Sequence, residues 1–275
     1  MSKIQDALDK IKASQEGGAT AHADFNRIST DSEKLTSIRD DVSLIQDMEQ
    51  PAEMTPREKA RARIMDSLMA DRKAFNAFRD FRTSVLQKVS QPNGIIMVTS
   101  CVPGSGGSFV ALNLAASIAM DESKTSLLID CNLQNPDFSD LVVGQSRTGL
   151  KDYLKGNECA IKEIIHPTGL PRMRLIPVGQ SNAPVGEYFT SIKLRQLFAD
   201  VKSRYDHRYI IVDAPPVVEN ADARILAQVC DYVVLVVPYG KVTDDQIISA
   251  ARAIGKDKLL GTVFNNQPRT PRLSW

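Results

Sequence analysis

Beyond Pro92, short runs of apolar and β-branched residues alternate with segments in which apolar residues recur at helical spacing. This alternation is typical of a parallel β-sheet whose strands are joined by crossover helices. The predicted strands are Ile95 to Thr99, Ser126 to Asp130, Arg174 to Pro177, Tyr209 to Asp213, Tyr232 to Val237 and Leu259 to Phe264. The predicted helices lie near Val110 to Met120, Ser191 to Tyr205, Ala221 to Val229 and Thr243 to Ile254. The pattern predicts an α/β fold with a doubly wound, mostly parallel sheet.

The N-terminal part of the chain follows a different pattern. Ile4, Leu8 and Ile11 share one helical face, whereas the polar stretch after them shows no sustained period. A capping box, Thr55 to Glu58, with a proline at the first helical position then starts a new helical segment. We therefore expect an amphipathic helix at residues 1–15, a flexible linker at 16–54, a helical extension at 55–90 and an α/β domain at 91–275.

A glycine-rich loop, SCVPGSGGSF at residues 100–109, joins the first predicted strand to the next predicted helix. Loops in this position bind phosphate, because their backbone N–H groups and the helix N-terminus face the anion. Counted against G-x-x-x-x-G-K-[ST], Cys101 replaces the first glycine and Gly107 replaces the lysine, whereas Gly106 and Ser108 keep their places. The loop therefore predicts a phosphate cradle without its point charge. The candidate nucleotide-contacting residues are Pro103, Gly104, Ser105, Gly106, Gly107, Ser108 and Phe109.

Two predicted strands end in an aspartate, Asp130 after SLLI and Asp213 after YIIV. Ligands of such sheets bind outside the carboxyl ends of the strands, where both carboxylates and the loop are expected to meet. Magnesium takes oxygen ligands, so Asp130, Asp213 and the hydroxyl of Ser108 are candidate metal ligands. The same two aspartates are the candidate catalytic residues. An aspartate that ends a strand is, on its own, more often the cap of a helix or turn, so the prediction depends on the two together with the loop.

Composition adds few constraints. The chain has 275 residues, 43% of them hydrophobic, and a formal net charge of +1, which gives no bulk reason to expect nucleic acid as a partner. No apolar run approaches the roughly 18 residues of a membrane-spanning helix, and no signal-peptide core is present, so we expect a cytoplasmic location. The cysteines form no C-x-x-C pair and are expected to be small buried residues: Cys101, Cys131, Cys159 and Cys230.

Further motifs follow the loop in a fixed order. They are Asn113-Leu114-Ala115, LLIDCNLQNP around Asp130, the G-L-x-x-x-L-x-G stretch from Gly149 to Gly156, Pro177-Val178-Gly179 with Glu187, and Tyr205-Asp206 before Asp213-Ala214-Pro215-Pro216. With them, residues from about Ala74 to Asn265 resemble the cytoplasmic domain of bacterial tyrosine kinases from capsular and exopolysaccharide systems. These kinases are relatives of the Min-system and plasmid-partition ATPases. The resemblance implies a P-loop kinase-like domain at 91–275 that uses ATP or ADP with Mg²⁺, and it adds Asn265 to the cofactor-binding residues.

The chain departs from that family at several functional positions. The lysine is Gly107, and the second acid of the D-x-D pair is Asn132. The E-x-x-R-x-x-R helix motif, which in the family packs neighbouring subunits, keeps only Arg79 and Arg82 as candidate interface residues. The C-terminal tyrosine cluster is absent, since the last tyrosine is Tyr239. The N-terminal MSKIQDALDKIK is similar to the start of exosortase-associated tyrosine autokinases.

The missing lysine has an estimable effect. A charge-assisted hydrogen bond to phosphate contributes on the order of 1.5–3 kcal/mol, so its loss should weaken nucleotide binding roughly 10- to 100-fold. A loss of the same size or larger is expected in the transition state, where charge develops on the transferred group. Three basic residues elsewhere in the chain are candidates to replace the lysine: Lys124, Lys241 and Arg224.

Three interpretations compete. The first is a degenerate tyrosine-kinase-like protein with weak or absent activity that acts in exopolysaccharide or capsule assembly by binding partners. The family is activated by a cytoplasmic segment of a membrane polysaccharide co-polymerase, so the resemblance implies such a partner, recruitment to the inner face of the membrane, and homo-oligomers. The second is an active ATP-dependent tyrosine autokinase. The third is a partition-type positioning ATPase, although Cys101 and Val102 do not supply the lysine that those ATPases carry.

Overall fold

The computed structural model describes residues 52–66, 71–90, 93–144, 147–155, 159–180, 188–203 and 208–267, all of which belong to one compact unit. The α-helices are α1 (Pro56–Arg61), α2 (Arg72–Lys88), α3 (Gly107–Ala119), α4 (Leu150–Leu154), α5 (Ile161–Ile164), α6 (Ile192–Ser203), α7 (Ala221–Val229) and α8 (Asp244–Ile254). The strands are β1 (Ile95–Ser100), β2 (Thr125–Asp130), β3 (His166–Pro167), β4 (Met173–Ile176), β5 (Arg208–Asp213), β6 (Tyr232–Pro238) and β7 (Leu259–Asn265).

The strands form one sheet in the order β3-β4-β2-β5-β1-β6-β7. Every neighbouring pair is parallel except β3 with β4, which is antiparallel. Strand β1 lies between β5 and β6, and β5 pairs on its other side with β2. The ends of β1, β2 and β5 therefore lie side by side, at the edge of the sheet where parallel folds bind ligands.

Helices cover both faces of the sheet. Alternate residues of β1 point to opposite faces, so Ile95 and Met97 pack in one core while Ile96 and Val98 pack in the other. The first core contains apolar residues of α6, α7 and α8, and the second contains those of α2 and α3. Burial on both faces explains the nearly continuous apolar runs of the central strands. The predicted doubly wound, mostly parallel α/β fold is confirmed.

The helical extension is attached to the second core. Its capping box forms as predicted, because the Thr55 side chain accepts a hydrogen bond from the Glu58 N–H and the Glu58 carboxylate accepts one from the Thr55 N–H. After α1 the chain turns, and Ile64 is completely buried. Met54, which the sequence placed in the linker, donates its N–H to the Gly169 carbonyl at 2.8 Å. The end of the predicted linker is therefore packed against the domain.

The predicted strands all form, with bounds that differ from the structure by at most a residue or two. Strand β3 and the short helices α4 and α5 were missed, because each is too brief to show a period. The predicted amphipathic helix at 1–15 and most of the predicted linker lie outside the described residues. Within the described part of the chain, no helix combines the length and the apolar character needed to cross a membrane.

Candidate phosphate site

The glycine-rich loop leaves β1 at Ser100 and enters α3 at Gly107. Gly106, which precedes the helix, has φ 85°, a backbone conformation that glycine adopts without strain. A Cβ there would also collide with the Asn265 side-chain amide. That amide donates to the Ser105 carbonyl at 2.9 Å and so fixes the loop against the end of β7. Asn265, predicted to contact the cofactor, holds the phosphate loop in place.

The loop offers donors to an anion. Among the described residues, none accepts a hydrogen bond from the backbone N–H groups of residues 104–108. These groups include the first donors of α3, whose N-terminus carries partial positive charge. The helix has no side-chain cap. The predicted cradle of N–H groups is therefore present, and a phosphate group is its natural ligand.

Gly107 occupies the position of the P-loop lysine at the first residue of α3. A Cβ at this position would lie 3.7 Å from the Cβ and Oγ of Ser100, which is ordinary van der Waals contact. The backbone of Gly107 has no positive φ. The backbone therefore does not require glycine at position 107, and the fold would accept a lysine side chain there.

The two predicted aspartates are brought together. Asp130 and Asp213 end the paired strands β2 and β5 and are register partners in them. Ser108 Oγ donates to Asp213 Oδ2 at 2.8 Å. The other carboxylate oxygen of Asp213 is buried and has no hydrogen-bond partner among the described residues. Asp130 accepts backbone N–H bonds from Asn132 at 3.1 Å and from Asp137 at 3.3 Å, so it also caps the turn that follows β2.

Both carboxyl groups are completely buried. Burial raises the pKa of Asp213 well above its usual value, and the neighbouring Asp130 raises it further. Burial is also the main cause that raises the pKa of Asp130. Two buried acids side by side are favourable as carboxylates only if a cation is present. The unpartnered Asp213 oxygen and the adjacent Ser108 hydroxyl fit Mg²⁺, which takes such hard oxygen ligands.

A cavity of about 550 Å³ opens above the loop. Ser108 lines it, whereas Asp130 and Asp213 do not, so Ser108 connects the cavity with the buried Asp213. Asn132, at the second acid of the D-x-D pair, lines the cavity, and several lining residues were missed at the sequence level: Arg63, Gln134, Asn135, Asp137, Glu219 and Asn220. Those after β2 and β5 lie within seven residues of the acidic strand ends, and this nearness was an available signal. Arg63 comes from the helical extension, and no motif marks it.

The three basic residues considered as replacements for the lysine do not line this cavity. Lys124 pairs with Asp121 at 2.7 Å, before β2 and therefore at the opposite end of that strand from Asp130. Arg224 donates to the carbonyls of Val217 and Val218 at 3.2 and 3.0 Å. Lys241 is exposed in the turn after β6. None of them is a substitute for the missing lysine in this structure.

The two candidate interface arginines on α2 have different surroundings. Arg82 donates to the Ser117 carbonyl of α3 at 2.8 Å, so it joins two helices of its own chain. Arg79 is exposed, and its guanidinium lies 5.9 Å from the centre of the Phe75 ring. Arg79 is therefore the one of the pair that is free to reach a neighbouring molecule.

Three of the four cysteines, Cys101, Cys131 and Cys230, are buried as expected, and Cys159 is half-buried. Burial raises the pKa of the Cys131 and Cys230 thiols. No group of three or more His, Cys, Asp or Glu side chains in the described ranges is arranged to hold a metal ion.

Comparison with known proteins agrees with this geometry. Residues 93–252 match the family described as AAA domain. Tyrosine-protein kinase CpsD of Streptococcus agalactiae is 31% identical over 209 residues, 74% of this chain and 89% of that protein. Tyrosine-protein kinase wzc of Salmonella typhimurium is 32% identical over 196 residues, 70% of this chain but 27% of that longer protein. The crystal structure of the VpsO kinase domain superimposes with a TM-score of 0.62 and 27% identity, covering 72% of this chain and 97% of that one. A nucleotide-type loop, two acidic strand ends and these similarities together show that the chain belongs to the bacterial tyrosine-kinase family of P-loop proteins.

Proposed function

We propose that this chain is a degenerate tyrosine-kinase-like protein that binds MgATP or MgADP weakly and transfers phosphate to tyrosine poorly or not at all. The observation that carries the proposal is Gly107, a glycine at the lysine position of a loop that keeps its second glycine and its serine. A phosphate at the loop would meet unpaired N–H groups and a helix N-terminus, which support binding. It would not meet the lysine that stabilises the charge of a transferred phosphoryl group.

The residues around the loop have separable roles in this proposal. The N–H groups of residues 104–108 hold the phosphates, and Asn265 keeps the loop in shape through Ser105. Ser108 and Asp213 would hold Mg²⁺, with Asp130 beside them. The metal, when bound, would neutralise charge on the phosphate oxygens. Asp130 and Asp213 are the candidate catalytic residues of this proposal, and support of Mg²⁺ requires their carboxylate forms.

The biological role is proposed as exopolysaccharide or capsule assembly through partner binding. The family resemblance supports a membrane polysaccharide co-polymerase, or its cytoplasmic segment, as the partner. In wzc the matching region is 27% of a longer protein, which supports the idea that kinase-like domains of this type work joined to other segments. A cytoplasmic protein recruited by such a partner would lie at the inner face of the membrane. We also propose that the chain forms homo-oligomers through a surface that includes Arg79, and that it does not bind nucleic acid.

Autophosphorylation distinguishes this proposal from the active autokinase, which the intact pair of Ser108 and Asp213 favours as the second candidate. The full chain, expressed in a host without tyrosine kinases and treated with phosphatase, is incubated with MgATP and probed for phosphotyrosine. We expect no signal above that of the Asp213→Ala variant. ATP-dependent phosphotyrosine that disappears in Asp213→Ala would contradict the proposal and establish the active kinase.

A further inference from the structure

A basic side chain from outside the phosphate loop reaches the phosphate cavity. Arg63 follows α1 in the helical extension, and it lines the cavity together with Gly104, Gly107 and Ser108. It is the only lysine or arginine of the described residues that does so. It also lines the neighbouring cavity of about 760 Å³, which shares Ser108 with the first. The extension therefore brings a positive charge to a site whose own loop has lost one.

The backbone of Arg63 has the conformation of a helix end. Its φ is 58°, the left-handed conformation that often follows a helix cap. At this helix end the Arg63 N–H donates to the Ala60 carbonyl at 3.1 Å, and the Ile64 N–H donates to the Lys59 carbonyl at 2.9 Å. Asn113 of α3 fixes the chain on both sides, donating to the Arg63 carbonyl at 3.0 Å and accepting from the Met65 N–H at 2.7 Å. Ile64, the residue between them, is completely buried. The position of Arg63 is thus fixed by α3, the helix whose N-terminus forms the phosphate cradle.

The guanidinium of Arg63 makes only weak contacts with the rest of the described chain. Its one ion pair with another described residue is with Asp137, at a long 3.9 Å, and its side chain is 68% exposed. Arg172, another arginine with positive φ, instead donates its Nε to the Ala119 carbonyl at 3.0 Å. A charged, weakly paired side chain beside a cavity that is lined by the glycine-rich loop is available to bind an anionic ligand. Asp137 also donates its N–H to Asp130, so the arginine lies next to the acidic part of the site.

We propose that Arg63 supplies the phosphate-binding cation that the loop lacks, so that the site takes a nucleoside di- or triphosphate with the extension as part of it. This rests on the proposed nucleotide binding and adds to it a residue that the loop motif does not contain. Arginine suits the task, because its planar guanidinium binds phosphate oxygens in pairs. The Arg63 side chain is mostly exposed to solvent, so its contribution is smaller than that of a buried lysine.

The test is calorimetric titration of the full chain with MgATP and, separately, with inorganic tripolyphosphate. Arg63→Gln should raise both dissociation constants roughly 5- to 20-fold, and Arg63→Lys should retain part of the affinity. Arg57→Gln is the matched control, since Arg57 is exposed on α1 and lines neither cavity. It should bind like the wild type. Arg63→Gly separates binding from folding: it should lose affinity like Arg63→Gln while its thermal midpoint stays level or rises, because glycine relieves the positive φ.

A second background tests the shared ligand. In a Gly107→Lys chain, Arg63→Gln should have a smaller effect, because two cations that serve the same phosphates are not additive. An equal effect in both backgrounds, or wild-type affinity in Arg63→Gln, would overturn the assignment of Arg63. Binding by Gly107→Lys with none by the wild type would also overturn it, while leaving the phosphate site standing. If neither chain binds, both this inference and the proposed nucleotide binding fail.

Discussion

Restoring the lysine by Gly107→Lys measures what the loop has lost. The new Cβ would lie 3.7 Å from the side chain of Ser100, so no steric cost is expected. A lysine is a better helix former than glycine by roughly 0.7–1 kcal/mol, whereas a positive charge in the first turn of a helix costs about 0.3–1 kcal/mol. These effects largely cancel, and the free energy of unfolding should change by less than about 0.7 kcal/mol.

The gain should appear in binding. A lysine that donates to phosphate contributes on the order of 1.5–3 kcal/mol, which lowers the dissociation constant for MgATP roughly 10- to 100-fold. Calorimetry or a fluorescent ATP analogue measures the change. Gly107→Met is the matched control, because methionine has similar length and no charge, and it should bind like the wild type. If Gly107→Lys is folded and its dissociation constant is unchanged, the loop is not a phosphate cradle and the reasoning is refuted.

The remaining predictions concern the acids, a tight turn and α2. Asp213→Asn should raise the thermal midpoint, since it removes one of two adjacent buried acids, and should abolish the effect of Mg²⁺ on ATP binding. Its control, Asp231→Asn, should lower the thermal midpoint, because Asp231 accepts a hydrogen bond from the Ile95 N–H and pairs with Lys202. Gly149→Ala should destabilise by about 2–4 kcal/mol in chemical denaturation, because its Cβ would overlap the backbone of Pro177 and Gly179. Gly261→Ala should be nearly neutral, because its Cβ would lie in ordinary contact, 3.8 Å from Lys88 Nζ. Arg82→Ala should lower the free energy of unfolding by about 1 kcal/mol without changing assembly. Arg79→Ala should leave the free energy of unfolding unchanged. A change of mass in light scattering for Arg79→Ala alone would support Arg79 as the interface residue, and an unchanged mass would rule out this role.

Much of the fold could be read from the sequence because its signals are local. Continuous apolar runs such as Ile95 to Thr99 mark strands buried on both faces, and the capping box at Thr55 marks a helix start through contacts within four residues. The two-residue strand β3 forms only because β4 lies beside it. Such an element depends on its partner, and no pattern within it could predict it.

The candidate site divides in the same way. The loop, Asp130 and Asp213 were predicted because each ends a strand, and parallel strands bring their ends together. Arg63 was not predicted, because its position depends on hydrogen bonds between the Asn113 side chain and backbone that is distant in sequence. Asn265 was assigned to the cofactor by resemblance, and only the three-dimensional contact with Ser105 reveals what its amide holds.

The strand order also determines when this site can exist during folding. The loop follows β1, Asp130 ends β2 and Asp213 ends β5, and β5 is the strand that lies between the other two. Pairings between segments so far apart in sequence require the closure of large chain loops and are slow to form. A nascent chain released before β5 has been made would contain the whole glycine-rich loop and still have no place for a metal. A nucleotide-dependent signal during refolding should therefore appear together with the final cooperative phase, and never before it.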